Sequence, residues 1–183
     1  MRTNRPGQSA LLFLDVAEIL DRENVNYLLI GAFALSFHGS IRASSDVDAL
    51  LLISYSRLAK IAKLFEAEKF EVTIRRGDDN DPILSMLVLN DEYGNRVELL
   101  GGLRGADPQI FSRGVEVPFR GVNLKVVALE DFISLKCFAG SARDISDAKA
   151  AIRAAQSPLN LDLLRAVTRR FGRLAADRLE ELL

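Results

Sequence analysis

The sequence predicts an α/β protein, and three observations carry that assignment. Apolar residues recur at helical spacing near the N-terminus, short apolar runs of strand length then alternate with helical segments to about residue 128, and from there to residue 183 the spacing is helical throughout. The chain is long enough for one domain of ordinary size, and 49% hydrophobic with 27% charged residues is the composition of a folded, soluble protein. A formal net charge of -1 supplies no global field for nucleic acid, so such a partner would need a local basic patch. Cys137 is the single cysteine, which excludes an internal disulfide and a multi-cysteine zinc site and makes a reducing cytoplasm the expected compartment. The opening "MRTNRPGQSALLFLDVAEIL" is interrupted by Asp15 and Glu18 and lacks a small-residue cleavage site, so no signal peptide is expected. No run approaches the ~18 apolar residues of a membrane span.

Element by element, Leu12, Val16, Ile19 and Leu20 mark an amphipathic helix from Ser9 to about Asn24. "VNYLLIG" reads as a short buried strand, and "AFALSFHG" as a short helix ending at Gly39. Residues 46–53 read as a second strand, continuously apolar beyond Asp48 and hence central in its sheet. Ser54 or Ser56 can cap the next helix, whose stripe is Leu58, Ile61, Ala62 and Phe65. Strands follow near 70–75, 83–90 and 95–100, the last two joined by the turn "NDEYGN", and then a ribbon near 115–127 turning at "RG". Helices are expected at about 129–139, 144–156, 159–171 and 173–182, broken at Pro158 and Gly172. The expected organisation is an α/β core over 1–128 with a helical part, 129–183, packed against it.

The chemistry concentrates in "GSIRASSDVDALLL". Residues two apart on a strand share a face, so Asp46 and Asp48 project together while Val47 enters the opposite layer. Burying unpaired charge is costly, so the pair calls for a cation or hydrogen-bonded partners. Glu98, between apolar residues in "NRVELLGG", is a third acid on an expected strand. Three convergent oxygen donors suit a hard cation such as Mg²⁺. Read blandly, the Asp pair is a solvated strand end. Gly31, which ends a strand and opens a helix, lets backbone amides approach a phosphate, and thirteen residues separate Ala32 from Asp46.

Glycine plus a small residue, about a dozen residues, D-h-D-h (h apolar) and a later strand acid resembles the nucleotidyltransferase core of the DNA polymerase β superfamily, a mixed-sheet α/β fold. Within it, "YLLIGAFALSFHGSIRASSDVDALL" is most similar to the AbiEii-type nucleotidyltransferases of bacterial toxin-antitoxin and phage-defence systems, in which H-G, R-x-T/S and D-h-D recur. His38-Gly39, Arg42, Ser45 and Asp46-Val47-Asp48 match that pattern. "VVALEDFISLKCFAGSARDISDAKAAI" is similar to a later motif of a helix carrying a lysine, then a basic residue and D-x-x-D, at Lys136, Arg143, Asp144 and Asp147. Ala32, Ser45, Glu98 and Ser141 stand where related chains more often carry glycine or serine, threonine, aspartate and arginine.

The resemblance implies an enzyme in which Asp46, Asp48 and Glu98 hold Mg²⁺ or Mn²⁺ and a nucleotide monophosphate moves from an NTP to an acceptor. That acceptor is RNA, such as a tRNA end, or a partner protein. It further implies nucleotide contacts by Gly31, Ala32, Arg42, Ser45 and Lys136, and acceptor or triphosphate contacts by His38, Arg143, Asp144 and Asp147. Glu98 is either a metal ligand or the general base. Two other functions fit the same residues: a small-molecule transferase of the aminoglycoside or lincosamide type, and a non-catalytic nucleotide-binding antitoxin. Each residue also has a plainer role. Arg42 is then a solvated loop arginine, His38 packs or meets the last carbonyls of its helix, and Asp144 and Asp147 cap a helix. Lys136 lies among Phe132, Ile133, Leu135 and Phe138, where it needs a partner, either triphosphate or Asp144. Arg165, Arg169 and Arg173, with Arg170 adjacent, form a row that could track RNA but more often is a solvated face paired with acids such as Asp162 and Asp177.

Overall fold

The computed structural model describes residues 2–183, with seven strands and eight helices among them. In chain order these are α1 (Ser9–Arg22), β1 (Tyr27–Ile30), α2 (Gly31–Phe37), β2 (Asp46–Leu51), α3 (Tyr55–Ala67), β3 (Glu71–Arg76), β4 (Ser85–Asn90), β5 (Arg96–Leu100), α4 (Ile110–Arg113), β6 (Val115–Phe119), β7 (Val122–Val126), α5 (Leu129–Ala139), α6 (Ala142–Ala154), α7 (Leu161–Arg169) and α8 (Arg173–Glu180). Every helix and strand expected from the sequence is present, and α4 is an addition too short to show periodicity. None of these helices is long and apolar enough to cross a membrane, among the described residues.

The chain forms two compact units that interleave in sequence. One holds the residues up to Leu29 together with Ala43–Arg104, and the other holds Ile30–Arg42 with Gly105–Leu183. The ribbon near 115–127, which the sequence groups with the core ending at 128, thus belongs with the C-terminal helices, as does the segment carrying α2.

In the first unit the strands run in the order β3, β4, β5, β2, β1. β2 and β5 are parallel, whereas β3–β4 and β4–β5 are antiparallel, so the sheet is mixed. Strand β1 is buried along its whole length, and β2 is buried from Ala49 onward, as their uninterrupted apolar runs require. α1 buries Leu12, Phe13, Val16 and Leu20, with Phe13 set edge-on to Tyr27 at 5.5 Å between centroids. α3 is capped by Ser54, whose side chain accepts from the Arg57 amide at 3.4 Å, and buries the predicted stripe of Leu58, Ile61, Ala62 and Phe65. The β4–β5 turn is held from inside: Asp91 accepts from the amides of Tyr93 and Asn95, and Asn95 in turn accepts from the Gln8 amide at 2.6 Å.

In the second unit, β6 and β7 pair antiparallel across Arg120–Gly121. Both turn residues have positive φ, 48° and 83°, as a two-residue hairpin that follows the strand twist demands. Phe33, Phe37 and Phe119 form an edge-to-face cluster, with centroids 5.2 to 6.2 Å apart. α5 is the central helix, its Phe132, Ile133 and Cys137 fully buried. It ends at Gly140 in the left-handed region, φ 68°, and the Arg178 guanidinium donates to the carbonyls of Cys137 and Phe138 at 3.0 and 3.3 Å. A cation there satisfies orphan carbonyls at the negative end of the helix dipole.

A Cβ at Gly140 would collide with that guanidinium as well as strain the backbone. Gly140→Ala is therefore expected to lower stability by roughly 1–2 kcal/mol from the left-handed conformation alone. Urea unfolding of the two proteins measures it, and an equal midpoint would show that the position is indifferent.

Candidate active site

The parallel pairing of β2 with β5 sets the carboxylates. Its register places Asp46 opposite Arg96 and Asp48 opposite Glu98, so Asp46, Asp48, Glu98 and Arg96 share one face. The alternate residues Val47, Ala49, Val97 and Leu99 are buried in the opposite layer. Ser9 ties the heads of the two strands: its hydroxyl donates to the Ser45 carbonyl at 2.5 Å and accepts from the Arg96 amide at 3.0 Å. Ser45 is itself exposed, and its contribution is this carbonyl.

Within the row, the Asp46 carboxylate accepts from the Ser44 hydroxyl at 2.6 Å. Glu98 is engaged by Arg96, whose Nε and Nη2 both reach Oε1, at 2.8 and 2.6 Å. Among the described residues no group of three or more His, Cys, Asp or Glu side chains is drawn together closely enough to hold a metal ion. The three acids are aligned by register, and Glu98 is turned to its own strand's arginine. Neither Ser9 nor Arg96 stood out in the sequence. Arg96 was the more accessible of the two, since it precedes Glu98 by two residues on a strand and so must share its face.

The second unit gathers four of the other expected residues. Arg42 forks onto Asp147, Nε to Oδ1 at 2.8 Å and Nη2 to Oδ2 at 3.0 Å. Lys136 bridges Asp144 Oδ1 at 2.8 Å and Asp147 Oδ2 at 2.9 Å. Asp147 is 4% exposed and Lys136 10%, so this is a desolvated network of two cations and two anions. Burial alone would raise the Asp147 carboxyl, but hydrogen bonds from Arg42 and Lys136 outweigh it and hold it below the usual range. Burial acts likewise on Asp144, and hydrogen bonds from Lys136 and Ser141 again prevail. Lys136 thus has Asp144 as its expected partner and Asp147 as a second. Asp144 sits at the third position of α6, in a capping box with Ser141, so the helix starts two residues earlier than the sequence suggested. Arg143 is not part of this network; it is exposed on α6.

Gly31 opens α2 with φ 66°, and Ile30 before it provides no side-chain cap. Ala32 is buried within that first turn. His38 follows the helix as its C-cap, with Nε2 2.9 Å from the Val127 carbonyl and its ring 5.3 Å from that of Phe132. Burial lowers its pKa, against the raising effect of the Val127 carbonyl, so the ring is held neutral and packed. Cys137 is no nucleophile at neutral pH, because burial pushes its thiol up to about 11.

Solved structures that resemble this fold are nucleotidyltransferases. The antibiotic-resistance factor ANT(2'')-Ia matches with a TM-score of 0.63 over 95% of this chain and 96% of its own, at 13% identity. An antigenic nucleotidyltransferase-like protein from Paracoccidioides brasiliensis matches with a TM-score of 0.57 over 98% and 94%, at 16% identity. The lincosamide antibiotic adenylyltransferase LnuA, solved with lincomycin bound, matches with a TM-score of 0.53 over 84% and 100%, at 14% identity. No protein-family model and no curated protein matches the sequence. The chain therefore has the nucleotidyltransferase fold, as its D-x-D strand and the glycine before it led us to expect.

Removing Asp147 leaves the buried Lys136 with Asp144 alone and takes the forked partner from the half-buried Arg42, so Asp147→Ala is expected to cost roughly 3 kcal/mol in chemical denaturation. A loss below 1 kcal/mol would mean that solvent already screens the network. His38 has its folded pKa depressed, so its contribution is intact above the unfolded value of about 6.5 and is lost as pH falls below it. Thermal melts of wild type and His38→Gln at neutral and mildly acidic pH should show the acid-side loss in the wild type and a smaller one in the variant; parallel curves would exclude the buried neutral ring.

Proposed function

We propose that the protein is a metal-dependent nucleotidyltransferase, moving a nucleoside monophosphate from an NTP to an acceptor with release of pyrophosphate. The observation that carries the reading is the row of Asp46, Asp48 and Glu98 on one face of an in-register parallel pair, in a chain with the nucleotidyltransferase fold. The donor set fits a hard divalent cation: all three are oxygen ligands, and two of them lie on one strand. Asp46 and Asp48 would hold Mg²⁺ or Mn²⁺, and Glu98 would join them on exchanging Arg96 for the cation. When bound, the ion neutralises triphosphate charge and lowers the pKa of the attacking hydroxyl.

The remaining roles belong to the chain itself. Asp46 and Asp48 would hold the cation beside the α-phosphate; in the transfer the acceptor O–P bond forms as the bond to the β-phosphate oxygen breaks, and pyrophosphate leaves. Glu98, when not ligating, would take the hydroxyl proton. Gly31 and Ala32 offer backbone amides only, since neither carries a hydroxyl. Arg42 and Lys136 would reach a triphosphate by giving up part of their hold on Asp147, an exchange of one set of anionic oxygens for another. Arg143, exposed and unengaged, suits acceptor contact. His38, Asp144 and Asp147 act in this reading by positioning the residues around them.

The acceptor that follows from the AbiEii-type resemblance is RNA or a partner protein, in a cytoplasmic toxin-antitoxin setting. A small-molecule acceptor is the second reading, favoured by the near full-length likeness to an antibiotic-resistance factor and a lincosamide adenylyltransferase. Purified protein incubated with each α-labelled NTP, Mg²⁺ or Mn²⁺, and in turn cellular RNA, protein extract or an aminoglycoside distinguishes them. Label should transfer with the wild type and fall by about 10³-fold or more in Asp46→Asn and in Asp48→Asn, the equivalent of several kcal/mol of lost charge stabilisation. Equal transfer by these variants would overturn the reading.

A further inference from the structure

The near-neutral total charge conceals an uneven distribution. The first unit carries 11 Lys and Arg against 15 Asp and Glu, a net -4, and the second carries 13 against 10, a net +3. Most cations of the second unit are already engaged. Arg165 pairs with Glu180, Arg173 with Asp177, Arg113 with Asp107 and Asp131, and Arg170 donates to the carbonyls of Gly105 and Ala106. In the arginine row of α7 and α8, Arg165 and Arg173 are thus paired with acids, Arg169 lies in the field of Glu180, and Arg170 is held by neutral carbonyls.

Helix α6 is different, because its charges are sorted by face. Asp144 and Asp147 point inward to Lys136 and Arg42, while Arg143, Ser146, Lys149 and Arg153 are exposed at intervals of three, three and four residues, which is one stripe of a helix. None of the three cations has an ion pair or hydrogen bond among the described residues. They span about 15 Å along the axis. The stripe itself, with Ala142 and Ala150 beside it, presents no aromatic or large apolar side chain, and Ile145 and Ile152, which border Lys149, are half-buried. A protein partner needs an apolar or aromatic centre to its interface, and base recognition by a single strand needs stacking rings. A regular line of negative charge needs neither.

We propose that the exposed face of α6 is a contact surface for the phosphate backbone of a single nucleic-acid strand, gripped without reading its bases. Arg143, Lys149 and Arg153 each take a phosphate, and the Ser146 hydroxyl donates to one between them. This assignment rests on the transferase reading for its purpose, since it names the polymer class of the acceptor. Its test requires no turnover.

Fluorescence anisotropy of labelled oligo-U and oligo-A RNA of about twenty residues, titrated with the full chain without NTP or divalent cation, measures the contact directly. Affinity should fall steeply between about 50 and 200 mM salt, and Arg143→Gln/Lys149→Gln/Arg153→Gln should reduce the log–log slope by about 2, as three released counterions require. Arg143→Lys/Arg153→Lys keeps the charges and should keep the slope, and Arg165→Gln, already paired, should leave it unchanged. The two sequences should bind within about threefold of each other. The proposal is overturned by absence of binding at the lowest salt, by an unchanged slope in the triple variant, or by a tenfold base preference. Binding without label transfer would sink the transferase reading alone, and transfer to a small molecule without RNA binding would sink this surface alone.

Discussion

Pairing register is the constraint on which the candidate chemistry depends. Once β2 and β5 run parallel with Asp48 opposite Glu98, three carboxylates must share a face whatever their side chains do. Their mutual repulsion has then to be met from outside the row. In the protein alone the structure meets it cheaply, with the Ser44 hydroxyl on Asp46 and Arg96 on Glu98. Such partners are easily exchanged, because Arg96 is 43% exposed and its pairing is worth little in water. The register of the strand pair is fixed by its ladder, whereas the Ser44 and Arg96 contacts at the Asp46 and Glu98 positions are solvent-accessible and exchangeable.

The second unit shows the opposite arrangement. Asp147 is almost fully buried and holds a forked guanidinium as well as an ammonium, so each group in the network depends on the others for its solvation. An entering triphosphate could compete for Arg42 and Lys136 only if its oxygens replace those of Asp147 nearly one for one. This favours a polyanionic ligand with closely spaced oxygens over a singly charged one. It also accounts for two aspartates lying one helical turn apart on α6, where like charges would otherwise repel.

What the sequence revealed followed from local physics. α1, α3 and β2 were legible because burial imposes periods of 3.6 and 2 on apolar residues, and the D-x-D pair because a strand puts alternate residues together. The partners were not legible to the same degree. Arg42 and Asp147 are 105 residues apart, and neither carries a local signal of the other. Ser9 looked like an ordinary helix start, yet it bonds both strands of the carboxylate pair, a role that exists only once three segments have met. The boundary near 128 also reflected local reasoning, since the β6–β7 ribbon resembles the strands before it in pattern while clustering with the helices after it. Lys136 lay between these cases: its apolar neighbours showed that it needed a partner, and the nearest acid in sequence, Asp144, was one of the two it has.

Charge sorting on α6 joins these threads. A helix that must supply Asp144 and Asp147 to a buried network cannot also place its basic residues on that side without adding cations to the two already there. Lys149 and Arg153 are consequently confined to the opposite arc, with Arg143 at its edge, and the two acids that could neutralise them are committed to Lys136 and Arg42. The outward stripe is in this sense a by-product of the inward network, and it gives the second unit its net positive charge although the whole chain is nearly neutral. Mixed with Asp144 and Asp147 on the inward side of α6, those cations would be neutralised, because opposite charges three or four residues apart on a helix are neighbours.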